Sequence, residues 1–109
     1  MPTDSTPDCF QSMINSLVVL MLLAERPMNS AELRRQIKER SKGRMDDSDL
    51  QITLYRLKRQ GYIRLSKESV KKGHSHDHIL LPKGEVLAAE AKAQYRETMD
   101  DFLSTIDKE

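Results

Sequence analysis

The apolar pattern of this chain changes period at one residue, Gly61. Before it, Leu50, Leu54 and Leu57 recur at +4 and +3, the spacing of one helical face. After it, Tyr62-Ile63-Arg64-Leu65 reads as a short strand. Glycine suits such a junction because it tolerates the left-handed backbone that closes many helices. A polar stretch, 66–77, contains Gly73 and can turn the chain. His78-Ile79-Leu80-Leu81 then reads as a returning strand, so a hairpin follows directly on a helix.

Further helices flank this unit. Residues 1–8 hold two prolines and small polar residues, the pattern of a flexible N-terminal tail. Phe10, Met13, Ile14, Leu17, Val18 and Met21 form one apolar helical stripe, and Leu20, Leu22 and Leu23 add a second. A helix apolar on most sides is buried, in part by a partner subunit. Pro27 ends it. Asn29 or Ser30 can cap a second helix, whose Leu33 and Ile37 point inward and which Gly43 closes. Asp46, Asp47 or Ser48 can cap the helix that ends at Gly61. Pro82 opens a long last helix, on which Ala88, Ala91, Tyr95, Met99, Phe102 and Ile106 approach a coiled-coil seam.

The 109 residues fit one domain. Only five are aromatic (three Tyr, two Phe), which argues against an all-β sandwich. The lone Cys9 cannot form an internal disulfide and excludes a zinc finger. The longest apolar run, from Leu17 to Ala24, is far too short for a membrane span, and no positive charge precedes it as in a signal peptide. These features predict a soluble, cytoplasmic protein without a membrane partner. The net charge of +1 conceals a gradient. Residues 1–25 carry −3, residues 26–72 carry +8 and residues 73–109 carry −4. A basic middle between acidic ends is the footprint of a polyanion-binding surface.

Three helices, a hairpin and a long helix make a mainly α fold: a winged helix-turn-helix with an extended C-terminal helix. A helix fits the major groove of double-stranded DNA and places side chains on base edges. The run from Leu50 to Ile63, LQITLYRLKRQGYI, resembles the third helix and turn of PadR-like winged-helix transcriptional regulators. The resemblance extends from about Leu20 to Leu87, including Leu22-Leu23-Ala24-Glu25-Arg26-Pro27-Met28 and Leu80-Leu81-Pro82-Lys83-Gly84. The family's His-Gly-Tyr after the first helix is here Asn29-Ser30-Ala31, and its Tyr-Pro in the third helix is Gln51-Ile52. The resemblance implies a homodimer held by the first and last helices. It also implies repression of transcription, relieved in some members by a small-molecule inducer between the subunits.

The expected domains are the tail at 1–8, a DNA-binding unit at 9–84 and a dimerisation helix at 85–109. The third helix leaves Ser48, Gln51, Ile52, Tyr55, Arg56 and Arg59 off its leucine stripe. Gln can read adenine, Arg guanine, and Ile can touch a thymine methyl. Arg34, Arg35, Lys42, Arg44, Lys71 and Lys72 are candidate phosphate contacts. Phe10, Met13, Leu17, Met21, Tyr95, Met99, Phe102 and Ile106 are the candidate dimer interface. His74, His76 and His78, spaced by two, would share one face of a strand and could converge on a metal ion, which would make a metal-responsive regulator. They lack a second cluster of ligands, so no metal and no cofactor is expected. No nucleophile motif, phosphate-binding glycine loop or paired-carboxylate pattern is present, so no enzyme activity is expected. A protein-interaction adaptor that uses the same fold without touching DNA is the alternative.

Overall fold

The computed structural model describes residues 6–41, 45–67 and 76–107. Helix α1 spans Thr6–Glu25. It starts inside the segment read as a tail, with Pro7 in its first turn, where a missing N–H costs no helical hydrogen bond. Its core side is Val19, Leu20, Leu22 and Leu23, all at most 5% exposed. Ile14, Leu17, Val18 and Met21 are only half-buried, and Met13 is exposed. The shorter apolar face therefore packs into the domain, and the longer stripe is left at its edge. The side chain of Phe10 lies outside the described residues.

Helix α2 spans Ser30–Ser41 and buries Leu33 and Ile37. Asn29 caps it, its side-chain oxygen accepting the Glu32 N–H at 2.8 Å. Helix α3 spans Asp47–Arg59 and buries Leu50, Thr53, Leu54 and Leu57. Asp46 accepts the Asp49 N–H at 2.8 Å, and the Asp49 carboxylate accepts the Asp46 N–H at 3.3 Å. This reciprocal pair satisfies two of the donors that a helix start leaves free. At the other end Gly61 takes φ +83°. The Tyr62 N–H donates to the Leu57 carbonyl at 3.0 Å and the Gly61 N–H to the Lys58 carbonyl at 3.2 Å. That is the left-handed helix stop that the sequence placed at Gly61.

Strand β1 spans Ile63–Leu65 and β2 spans His78–Leu80. They are antiparallel, with Ile63 opposite Leu80, Arg64 opposite Ile79 and Leu65 opposite His78. Both strands are a residue shorter than the sequence suggests, because the outer residues serve the adjoining helices. Tyr62 donates its N–H to the end of α3, and Leu81 is the N-cap of the following helix. The other edge of β2 is stitched to the link between α1 and α2. The His78 N–H donates to the Met28 carbonyl at 2.7 Å, with the reciprocal bond at 3.4 Å.

Helix α4 spans Pro82–Glu90, a π-helical turn follows at Ala91–Tyr95, and α5 runs over Arg96–Asp107. The sequence suggests one uninterrupted helix here, since no glycine or proline marks the π turn. The core forms where α1 meets α3, α4 and β2. At its centre lie Leu20, Met28, Leu33, Leu50, Leu54, Leu57 and Ile63. Gly84 lets α4 approach the hairpin closely: a Cβ there would collide with the Tyr62 carbonyl oxygen and lie 2.8 Å from Leu80 Cδ1. Ala88, one turn further on, is still buried in the core; beyond it the rod leaves the core, and residues 92–106 are all exposed. The radius of gyration, 15.7 Å, exceeds the roughly 13 Å of a compact domain of about 100 residues. No helix among the described residues is long and apolar enough to cross a membrane.

Candidate nucleic-acid interface

The leucine stripe of α3, joined by Thr53, faces inward and fixes what the helix turns outward. Ser48, Gln51, Ile52, Tyr55, Arg56 and Arg59 are all exposed. Ile52 is 51% and Tyr55 60% exposed, so two large apolar side chains stand more than half in water. The Arg59 guanidinium donates to the Tyr55 hydroxyl at 3.1 Å, one helical turn away. The structure thus brings all six expected residues of this helix onto one open face.

The expected phosphate contacts on α2 are engaged within the protein. Arg34 pairs with Asp47 at 2.8 Å, which ties α2 to the first turn of α3. Arg35 pairs with Glu32 at 2.6 Å and reaches Glu39 at 3.7 Å. Glu32 also pairs with Arg26. Hydrogen bonds from Arg35 and then Arg26 hold the Glu32 carboxyl down to about 2. Arg40 pairs with Glu25 at 2.9 Å. Lys42, Arg44, Lys71, Lys72 and His74 lie outside the described residues.

Two exposed cations that the sequence reading passed over stand beside this face in the chain: Arg64 on β1 and Lys67 just after it. A signal existed, since residues 56–67 contain five basic side chains and no acidic one. Lys83, at the start of α4, donates to the Gln60 carbonyl at 2.9 Å and sits 4.5 Å from the centre of the Tyr62 ring. It fastens the last helix to the end of α3.

His76 and His78 do not share an open face. His78 is 3% exposed, and its Nε2 lies 3.2 Å from the Ser30 hydroxyl oxygen. Burial, followed by the charge of Lys58, pushes the imidazole down to about 4, against a smaller opposing effect of Asp77. His76 is exposed. Of the three imidazoles that could have shared one strand face, His78 is taken into the core by strand β2. Among the described residues no group of three His, Cys, Asp or Glu is placed to hold a metal ion.

At the far end, Tyr95, Met99, Phe102 and Ile106 are 37–63% exposed, and so is Leu103, which the sequence seam left out. Leu17, Val18 and Met21 of α1 face Ala91, Tyr95 and Arg96 across an apolar groove of about 210 Å³.

No protein-family model and no curated protein matches the chain. Solved structures do. A PadR-like transcription factor from Bacteroides fragilis superposes with a TM-score of 0.79 at 19% identity, covering 94% of this chain and 99% of that one. A PadR family transcription regulator from Clostridium difficile gives 0.72 at 15% identity, over 84% and 96% of the two chains. A candidate transcriptional regulator from Thermoplasma acidophilum gives 0.63 at 26% identity, over 86% and 92%. The chain has the winged helix-turn-helix fold of these proteins, including the long C-terminal helix.

Proposed function

We propose that the protein is a sequence-specific DNA-binding transcriptional regulator, acting as a homodimeric repressor in the cytoplasm, with no catalytic activity. The observation that carries this reading is the open face of α3. Six side chains suited to base edges and phosphates stand exposed on a helix whose other side is fixed in the core. A helix presented in this way fits the major groove. The likeness to solved transcription regulators over most of the chain supports the same reading. In this reading the DNA-binding unit covers residues 9–84 and the dimerisation helix residues 85–109. The exposed apolar face of α5 and the half-buried apolar stripe of α1 supply the subunit contact, and the groove between α1 and the π turn offers a place for a small-molecule inducer.

The test is a fluorescence-anisotropy titration on duplexes selected from genomic fragments and on scrambled controls. Saturable binding that prefers the selected duplex supports the reading. Gln51→Ala should then cost about 1–3 kcal/mol at the preferred site and relax selectivity there. Absence of binding at low salt would replace this reading with that of a protein-interaction adaptor. Equal binding to both duplexes would indicate a non-specific architectural role.

A further inference from the structure

The positive charge of the middle segment is unevenly placed. Residues 26–49 carry seven basic and five acidic side chains, whereas residues 50–72 carry seven basic and one acidic. The ion pairs follow the same division. Arg26, Arg34, Arg35 and Arg40 each contact a carboxylate. Among the described residues no carboxylate pairs with Arg59, whose guanidinium is held instead by the Tyr55 hydroxyl at 3.1 Å.

The two kinds of partner have opposite consequences. A carboxylate orients a guanidinium but cancels its charge. A hydroxyl orients it and leaves the charge unspent, so part of the rotamer entropy of a long side chain is lost before any ligand arrives. Moving Arg34 from Asp47 to a phosphate would also strand a carboxylate beside that phosphate, at a helix end that already carries Asp46 and Asp49. Arg59 meets no such penalty. Its place in the last turn of α3 also suits it to the backbone, since recognition helices put their N-terminal residues on base edges.

We propose that Arg59, positioned by the Tyr55 hydroxyl, grips a backbone phosphate of double-stranded DNA, and that Arg34 and Arg35 serve the fold and not the ligand. This inference rests on the DNA-binding reading above. It assigns Tyr55 a positioning role and relocates the phosphate contact from α2 to the C-terminal turn of α3.

The test is the salt dependence of affinity for a random-sequence duplex. Each neutralised phosphate contributes about 0.9 to the slope of log affinity against log salt. Arg59→Ala should flatten the slope by about that amount. Tyr55→Phe should weaken binding about 2–10-fold with an unchanged slope, because the charge stays while its orienting bond is lost. In the Arg59→Ala background Tyr55→Phe should have no further effect. The charge-neutral pair Arg34→Gln with Asp47→Asn should leave the slope as in wild type. A wild-type slope in Arg59→Ala, an equal effect of Tyr55→Phe with and without Arg59, or a flattened slope in the Arg34/Asp47 pair would each overturn this inference alone. A wild-type protein that binds no duplex at low salt would overturn the DNA-binding reading itself, and this inference with it.

Discussion

His78 and Ser30 stand 48 residues apart in sequence and meet through a 3.2 Å contact between Nε2 and Oγ. The contact joins the wing strand β2 to the first turn of α2, beside the backbone bonds between His78 and Met28. The other ring nitrogen, Nδ1, is buried with no hydrogen-bond partner among the described residues. An acceptor lone pair is less costly to leave unpaired than an N–H, so the neutral ring that donates from Nε2 fits this site best.

This burial predicts a loss of stability on acidification. The imidazole sits at about 4 in the folded protein, below its ordinary 6.5. Above pH 6.5 it is neutral in both states and adds no pH dependence. Between about pH 6.5 and 4 the unfolded chain takes up the proton first, so folding weakens as pH falls, by up to about 3 kcal/mol. His78→Gln keeps an amide donor for Ser30 and does not titrate. Urea midpoints measured from pH 7.5 to 4 should fall in wild type and flatten over this window in the variant. Equal slopes in the two proteins would remove His78 as the cause.

Gly84→Ala should destabilise the fold by about 1–3 kcal/mol, since the added methyl meets the fixed Tyr62 carbonyl as well as the movable Leu80 side chain. Gly61→Ala should act by a different route, through the positive φ, and cost about 1–2 kcal/mol with no clash. Thermal denaturation of the two variants checks both. An unchanged midpoint for Gly84→Ala would mean that α4 can move away from the hairpin without loss.

Asp46→Ala removes the acceptor that caps α3 and should cost about 1 kcal/mol. Asp46→Asn retains an acceptor and should recover most of that loss. Chemical denaturation of both variants would show it, and equal destabilisation of the two would point to charge and not to the cap.

Met99→Asp together with Phe102→Asp should give a folded or partly folded monomer. Both side chains are exposed on a helix that, among the described residues, makes substantial contact only with the preceding π turn. Sedimentation at micromolar concentration is the measurement. A wild-type protein that sediments as a monomer there would count directly against a subunit contact through α5.

The periodic features of the fold were legible because local chemistry agreed with tertiary structure. Leu50, Leu54 and Leu57 bury as their spacing requires, Asp46 caps, and Gly61 stops the helix. The two faces of α1 were not legible in the same way. Both are apolar, and only the positions of α3 and α4 decide that Leu20, Leu22 and Leu23 go inside. The open residues of α3 followed from its stripe, but the state of the arginines did not. Arg34 and Asp47 are 13 residues apart, and pairing across such a distance has no sequence period. The π turn was invisible because Ala91–Tyr95 contains neither a helix breaker nor a strained residue type.

That π turn acts as a phase setting between the two ends of the molecule. Each residue of an α-helix turns its successors by about 100°, so an added or removed residue redirects everything beyond it. The winged domain lies on one side of Ala91–Tyr95 and the apolar face of α5 on the other. In a dimer joined through α5, this five-residue segment would govern how far apart and at what relative angle the two α3 helices stand. Deleting one residue from it would leave each winged domain intact while re-aiming the pair. Such a variant should keep its affinity for a single half-site and change the half-site spacing it prefers.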